Sequence, residues 1–427
     1  MASVVSIDYL RFLLSRFRER LWVKPLFFCL LSISMVFLAK LVDNTELKPH
    51  LPQVTAESIE TLLSIMASSM LVIATFSLGS MVSAYASASN TATPRTFTLV
   101  VSDDASQNAL STFVGTFIFS IVALTAFKND YFEEAGLFVL FVLTAIAFII
   151  VIVTFVRWAD RIARLGRLGS TIEKVELATS KALRKRRSAI RMHGAAMKGA
   201  DYQHAVFSNK VGYVQHIDMS ALQEWAKSNK LRVVIAALPG TFAAPGRAIA
   251  HIYDMADSQT EMDTQHIQAA FQIGHTRLFD DDPRFGLVVL SEIAGRALSP
   301  AVNDPGTAIG IIGTFVRLFT VWHEAAPDEP EEICYDRVEV PELSVEDMFD
   351  DAFRSIARDG AGLVEVSVRL QKALSSLATS RDKNIQEAAK FHSHLALKRC
   401  QLALEVEEDF AIIQETCHAG SFTQEKA

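Results

Sequence analysis

The chain has 427 residues, of which 50% are hydrophobic and only 21% are charged. Soluble proteins reach a similar hydrophobic fraction but usually carry about 25% charged residues, so this balance favours a membrane protein. The four cysteines form no C-x-x-C pair, which excludes a disulfide framework and a cysteine-based zinc site, and the net charge of −7 says little about partners.

The N-terminus is basic. Residues 1–24 carry a group of cations ahead of the first apolar stretch and lack a convincing small-residue cleavage site. These cations are Arg11, Arg16, Arg18, Arg20 and Lys24. We interpret residues 1–24 as a basic interfacial helix that leads into an uncleaved membrane anchor.

Four apolar stretches follow, and each is long enough to cross a bilayer. A crossing helix needs about 20 predominantly apolar residues. We expect spans over about residues 25–42, 61–89, 109–127 and 135–156, which together form a transmembrane domain over 25–156. The alternative is a set of buried helices in a large soluble core, which four such stretches in so short a segment disfavour.

The Lys and Arg residues indicate the orientation of these spans. They crowd the segments before the first span and after the last, whereas acidic residues dominate the loops after the first and third spans. The positive-inside rule therefore places both termini in the cytoplasm of a bacterial inner-membrane protein.

A basic juxtamembrane helix is predicted over 157–200. Its first arginines, Arg157, Arg161, Arg164 and Arg167, are candidates for contact with anionic lipid headgroups. The alternatives are a solvated helix face and a nucleic-acid site, and the second is disfavoured beside a membrane span.

The second span is rich in small hydroxyl residues. Ser80, Ser83, Ser87 and Asn90 recur at helical spacing and share one face, and Ser69 lies about three turns earlier in the span. Small polar residues serve helix–helix packing, or they line a water-filled path in an oligomer. Ionisable residues are missing from the middle of every predicted span, which disfavours a proton relay or a charge-coupled transporter.

The remainder of the chain predicts a cytoplasmic α+β domain, an acidic linker and a helical hairpin. Alternation and turn residues give strands and a short helix in the domain over 201–325. The linker covers 326–344. Two long helical patterns, Val345 to Thr379 and Lys383 to Glu415, form a C-terminal helical pair over 345–418, which we expect to pack antiparallel.

Two Asp-Pro dipeptides open helices in this domain, and polar residues surround them. Asp282 and Asp304 can each accept N–H groups at a helix start, with Pro in the first turn. The surrounding candidates for a ligand-binding or structural cluster are Arg277, Asp280, Asp282, Arg284, Arg296, Asn303, Asp304 and Thr307. A divalent cation, a small anion bound by arginine, and helix caps with ion pairs are all compatible with this set.

Catalytic motifs and cofactor motifs are absent. The chain lacks G-x-S-x-G, the P-loop and G-x-G-x-x-G, and its histidines have no metal-ligand spacing. We therefore predict no enzyme, no catalytic residue, no metal and no cofactor.

One stretch carries a family resemblance. The run GHTRLFDDDPRFGLVVLSEIAGRALSPAVNDPGTA, residues 274–308, is similar to the signature of a bacterial predicted membrane protein family, the domain of unknown function numbered 2254. The resemblance extends to the second span, to VGYVQHID and to the PG-x-F turn. It implies a membrane location with several spans and no established activity.

The chain departs from the family pattern at two places. Its turn reads Gly240-Thr241-Phe242-Ala243 where the family usually has Gly-Asp-Phe-Val. Thr93 precedes Pro94-Arg95, where the family usually has a Gln and a Ser. The carboxylate that the family pattern implies in the Gly240 turn is therefore replaced by the Thr241 hydroxyl in this chain.

Together these patterns predict an α-helical membrane protein with four transmembrane helices and both ends inside the cell. The leading expectation is a homo-oligomeric, channel-like pathway for ions or small solutes with a regulatory cytoplasmic domain. The alternative is a non-conducting scaffold or sensor whose cytoplasmic domain binds a ligand or partner protein. The lipid bilayer and further copies of the chain are the expected partners, and nucleic acid is not.

Overall fold

A computed structural model of the protein describes residues 20, 22–44, 55–101, 103–162, 167–199, 204–254, 264–325 and 331–421. The chain divides into two compact units, an N-terminal unit over Leu13–Thr171 and a C-terminal unit that contains Ile172–Ala427. The described residues exclude most of the predicted helix over 1–24, Arg164 and linker residues 326–330.

Four long helices build the N-terminal unit. They are α1 (Val23–Leu41), α2 (Ala56–Thr91), α4 (Asp104–Lys128) and α5 (Glu134–Ile162), and the short α3 (Phe97–Val101) lies between α2 and α4. The long helices coincide with the four predicted spans, but α2, α4 and α5 extend beyond the predicted ends. The extensions are polar residues that continue the helix, where the apolar pattern gives no signal.

Helix α4 packs against α1, α2 and α5. Its buried face carries small and hydroxyl side chains, among them Ser106, Ser111, Thr112, Gly115, Thr116 and Ser120. A Cβ atom on Gly115 would lie 2.9 Å from the Cβ atom of Phe28, so a side chain larger than hydrogen does not fit. Small residues let helix backbones approach closely. The buried face of α2, with Ala74, Ser77 and Ala84, shares this packing role with α4.

Asp43 connects the end of α1 to the start of α5. Its buried carboxylate follows α1 and accepts the backbone N–H groups of Glu133 and Gly136, at 3.0 and 2.5 Å. These groups open α5 and have no partner within the helix. Asp43 therefore caps α5 from another part of the chain.

The C-terminal unit contains two sheets. Its strands are β1 (Gly194–Ala195), β2 (His204–Phe207), β3 (Gly212–Ile217), β4 (Leu231–Ile235), β5 (Phe242–Ala243), β6 (Ala248–Asp254), β7 (Phe271–Gly274) and β8 (Tyr335–Glu339). One sheet has the order β1-β8-β4-β6-β2, and the other has the order β5-β3-β7. Apolar residues of β4 and β6 form a core with Leu222, as the alternating pattern predicts.

Nine helices complete the described part of this unit. They are α6 (Leu168–Ser188, whose first four residues belong to the N-terminal unit), α7 (Met219–Asn229), α8 (Gln265–Ala270), α9 (Pro283–Ala297), α10 (Pro305–Glu324), α11 (Val345–Asp359), α12 (Val364–Leu377), α13 (Lys383–Ala403) and α14 (Glu407–Ser421). Phe315 and Phe319 of α10 pack on Phe349 and Phe353 of α11, with ring centroids 4.2 to 5.8 Å apart.

The predicted pair of long C-terminal helices is wrong, because each is interrupted. The chain breaks at Gly360, where a Cβ atom would lie 2.7 Å from Val366, and again after Ala403, where Leu404 is extended. Helix α12 contacts both α13 and α14, so four helices replace the expected hairpin. The apolar spacing continues through both breaks and therefore did not reveal them.

Five of the described helices are long and apolar enough to cross a membrane by length and composition. Four are α1, α2, α4 and α5 of the N-terminal unit, and the fifth is α10 of the C-terminal unit.

Candidate functional site

Asp282 is the centre of the first polar site. Its side chain is 3% exposed, caps α9 through the N–H of Phe285 and binds the Arg277 guanidinium with two hydrogen bonds of 2.6 and 3.0 Å. Gly240 of the PG-x-F turn lies directly against this carboxylate, because a Cβ atom there would be 2.3 Å from Oδ2. The turn therefore requires glycine at this position.

Asp281 is the second carboxylate of this site. It binds Nδ1 of His216 at 2.7 Å and the ammonium of Lys185. Burial opposes ionisation of Asp281, but the hydrogen bonds and positive charges of His216 and Lys185 outweigh burial and hold its pKa at about 2. Asp281 is therefore ionised throughout the physiological pH range.

Arg186 lies buried beside these carboxylates. Its side chain is 6% exposed, and its Nη2 donates to the backbone oxygen of Asp281 at 3.3 Å. Burial lowers the pKa of the guanidinium, and nearby carboxylates, Asp281 first among them, oppose this lowering. The arrangement is a buried charge network that attaches α6 to the start of α9.

The second Asp-Pro dipeptide is a separate and more exposed cap. Asp304 accepts the N–H and the hydroxyl of Thr307 at 3.1 and 2.6 Å, and these bonds hold the pKa of its carboxyl below the usual value. Asn303 before it is exposed and has a φ of 48°, in the left-handed region.

The predicted Asp-Pro cluster thus does not form one site. Asp282 and Asp304 lie at opposite ends of α9, whose 15 residues span about 22 Å. Arg277 pairs with Asp282, and Thr307 donates to Asp304. Arg284 pairs with Asp347 and Asp351 of α11. Asp280 and Arg296 are exposed. This geometry supports helix capping and helix–helix ion pairs.

The predicted pore residues lie on one side of α2. Ser83, Ser87 and Asn90 are exposed on the single chain, and Ser69 and Ser80 are half-buried. Gly79 lies one turn before Ser83 on the same face, and nothing lies within 4 Å of its Cβ position. Gly79, Ser83, Ser87 and Asn90 are named here the α2 stripe.

The predicted lipid-headgroup arginines have different environments. Arg157 and Arg167 are exposed, whereas Arg161 donates to Asp103 at 2.7 Å. Asp103 is buried and caps α4 through the N–H of Ser106 at 3.1 Å. Arg161 therefore has a partner within the N-terminal unit.

Sequence reasoning missed His216, Lys185 and Arg186. The last part of the basic helix belongs to the C-terminal unit, where Arg187 also lies 4.9 Å from the ring of Trp322. The helical spacing indicates that Arg186 is buried, because it lies on the same face as the buried residues Thr179, Ala182 and Leu183. The residues that make up the described ranges contain no group of three or more His, Cys, Asp or Glu that could hold a metal ion.

Comparisons with known proteins find relatives of unknown function. The chain is 30% identical over 104 residues to uncharacterized protein MT1328 of Mycobacterium tuberculosis (strain CDC 1551 / Oshkosh) and, over the same length, to uncharacterized protein Mb1321c of Mycobacterium bovis. The match covers 24% of this chain, and the chain spans 20% of the length of these relatives. No solved structure matches.

A family model matches residues 18–376, which include all four long helices of the N-terminal unit and most of the C-terminal unit. The Asp-Pro dipeptides, the PG-x-F turn and the α2 stripe all lie inside this range. The chain belongs to the family described as "Predicted membrane protein (DUF2254)", whose function is unknown.

Proposed function

We propose that the protein is a homo-oligomeric, channel-like protein of the bacterial inner membrane, in which α2 of each copy lines a pathway for ions or small solutes. The observation that carries this proposal is the α2 stripe, a row of small polar residues that the helices of its own chain leave uncovered. The C-terminal unit regulates the pathway from the cytoplasm.

Four helices, α1, α2, α4 and α5, are the proposed spans. Their Lys, Arg, Asp and Glu residues lie within about two turns of the helix ends. Helix α10 differs, because Arg317 in its fourth turn pairs with Glu176 of α6 and because its apolar face is buried on α11. We therefore assign α10 to the core of the cytoplasmic unit.

The orientation follows from the cations at one end of the bundle. Lys24 pairs with Asp104, and Arg161 pairs with Asp103, so the start of α1, the start of α4 and the end of α5 share one end. Arg157 is exposed near the same end. The positive-inside rule makes this the cytoplasmic end, with both termini inside.

The side chains of the α2 stripe are polar or small and suit lipid poorly, although the exposed Phe76, about two turns before Ser83, continues the same face. A hydroxyl or amide side chain gains nothing from hydrocarbon, whereas α2 also exposes large apolar side chains, such as Leu78 and Val82, that suit a lipid contact. The buried faces of α2 and α4 already form the contacts within the bundle. The exposed stripe on α2 is therefore available to contact another copy of the chain or water.

Thiol accessibility tests this proposal. In a variant that lacks Cys29, Cys334, Cys400 and Cys417, single cysteines replace Ser83 or Val82, which are both exposed on the single chain. We expect a charged, membrane-impermeant thiol reagent to label Ser83→Cys in intact membranes and to leave Val82→Cys unlabelled. Equal labelling of both positions, or labelling of neither together with no cross-link between copies, contradicts the proposal.

The second candidate is a non-conducting scaffold or sensor. The spacing of Gly79, Ser83 and Ser87 at four-residue intervals favours it, because small residues at this spacing also form dry contacts between membrane helices. In that case Ser83→Cys resists the water-soluble reagent but forms a disulfide between two copies under mild oxidation.

A further inference from the structure

A cavity of about 500 Å³ opens in the C-terminal unit where its two sheets meet. Its walls come from β2, the end of β4, β5 and β6, and they include Phe207, Phe242, Arg247 and His251. Small-molecule sites in proteins have volumes of about 300 to 1,000 Å³, so the cavity is large enough for a ligand of some ten to twenty heavy atoms.

Two irregularities in strand pairing shape the cavity. The register of β2 on β6 shifts between Val206 and Phe207. At the end of β4, the N–H groups of Ala236 and Ala237 both donate to the oxygen of Ile249, each at 3.0 Å. Such bulges bend a strand and redirect side chains, and they occur often beside binding sites.

The apolar part of the wall is aromatic and partly uncovered. Phe207 is 43% exposed and Phe242 is 42% exposed, and the ring of Tyr213 supports Phe242 edge-on at 5.0 Å. Between them the wall consists mainly of alanines, among them Ala205 and Ala237. Small side chains leave the volume open, and a flat apolar ligand would cover the two phenylalanine rings.

The polar part of the wall is cationic. Arg247 follows Gly246, whose φ is 78° and whose Cβ position has no atom within 4 Å. Within the part of the chain that the structure describes, the Arg247 side chain has no ion pair, and the lining contains no Asp or Glu. The described residues of the lining therefore offer only positive charge.

We propose that this cavity binds a small organic anion, an aromatic carboxylate, with its apolar body on Phe207 and Phe242 and its carboxylate on Arg247. One guanidinium matches one carboxylate through two parallel hydrogen bonds. A nucleoside polyphosphate would need more cations than the lining supplies. The C-terminal unit would then bind this ligand independently of whether the membrane helices conduct ions.

Calorimetric titration of the full-length protein in lipid nanodiscs tests the site, with 2-naphthoate as the probe and 2-naphthamide as its neutral isostere. We expect saturable binding of 2-naphthoate at one site per chain, with an affinity at least tenfold higher than that of 2-naphthamide. No saturable binding, or equal affinity for the two compounds, overturns the proposal.

Three variants locate the binding. Arg247→Gln should lower the affinity for 2-naphthoate at least tenfold and leave that for 2-naphthamide unchanged, whereas Lys227→Gln, an exposed cation on α7 outside the cavity, should change neither. Ala205→Trp, on the exposed edge strand, should fill the cavity and abolish binding of both compounds while the melting temperature stays within a few degrees. Unchanged binding in Arg247→Gln or in Ala205→Trp contradicts the assignment.

Discussion

Asp282 and Asp304 stand in the same Asp-Pro context but in different surroundings. Both accept the backbone N–H three residues ahead, and this capping was predictable from the dipeptide. Only Asp282 is buried and bound by an arginine, Arg277, with Gly240 against it. The ion pair joins residues five apart in sequence, but the Gly240 turn that covers Asp282 is distant, so local pattern could not reveal which cap is buried.

This difference predicts unequal losses of stability. Asp282→Ala leaves the Arg277 guanidinium without its partner and should lower the free energy of unfolding by about 3 kcal/mol. Asp304→Ala removes only a half-buried cap without an ion pair and should cost about 1 kcal/mol. Thermal unfolding of the two full-length variants, followed by tryptophan fluorescence, compares them directly. Equal shifts of the two melting temperatures would show that the buried ion pair contributes nothing beyond the cap.

His392 of α13 is a buried histidine that local pattern did not single out. Its side chain is 2% exposed and lies against Phe349 and Phe353, with Asp350, Arg354 and Arg399 nearby. Burial lowers its pKa to about 4, and the two arginines add to this effect against the attraction of Asp350. The ring is therefore neutral in the folded protein at neutral pH.

His392 makes stability depend on pH. The unfolded chain gains this proton near pH 6.5 and the folded chain only near pH 4, so the unfolded state binds more protons between these values. Stability should therefore fall as the pH falls from 6.5 to 4, by on the order of 2 to 3 kcal/mol from this residue. Denaturant titrations at pH 7 and pH 4 should show this dependence reduced in His392→Leu. The exposed His394→Leu serves as the control and should behave like the wild type.

At the scale of elements, apolar periodicity predicted which segments are helices but not where they end. The four long helices of the N-terminal unit follow from the length of their apolar stretches, and the strands β3 and β4 follow from alternation. Apolar spacing does not mark the breaks at Gly360, where Val366 lies close to the Cβ position, and after Ala403, where Leu404 is extended. Helix α10 satisfies the criteria for a span, so composition alone does not separate a buried core helix from a membrane helix.

Helices α6 and α9 approach closely at Gly286. Among the described glycines, a Cβ atom added there would lie nearest to an atom of another helix. A Cβ atom on Gly286 would lie 1.8 Å from Thr179 Oγ1 and 2.7 Å from its Cβ. We expect Gly286→Ala to push α6 away from α9 and to lower the free energy of unfolding by about 1 to 3 kcal/mol.

Gly310→Ala is the matched control for this substitution. It lies on the exposed side of α10, where nothing approaches its Cβ position within 4 Å. Alanine should stabilise the helix there by up to about 1 kcal/mol. Melting temperatures that shift in opposite directions support the contact, and two shifts of the same sign argue against it.

At the scale of the whole molecule, the sequence predicts which residues form the α2 stripe but not what covers it. Helical spacing alone put Ser83, Ser87 and Asn90 on one face, and they are exposed together. Whether another copy, water or lipid covers that face depends on assembly, which a single chain does not encode in its local pattern. Within the chain both α2 and α4 bury small side chains, and packing through the α2 stripe stays a prediction.

Assembly through the α2 stripe predicts sensitivity to side-chain size. Ser83→Leu should weaken association of the copies, because a large side chain separates helices that small residues bring together. Val82→Leu on the adjacent exposed face should leave association unchanged. Light scattering of the purified protein in mild detergent gives the subunit number, and a wild-type monomer would exclude the proposed assembly.

Single-channel recording in planar bilayers tests the central claim most directly. Reconstituted wild-type protein should produce discrete conductance steps, and Ser83→Asp should change their size or ion selectivity because it places a charge on the pathway. A current no different from that of the bare bilayer, over a range of small ions and voltages and with oligomeric protein verified in the membrane, would contradict the account.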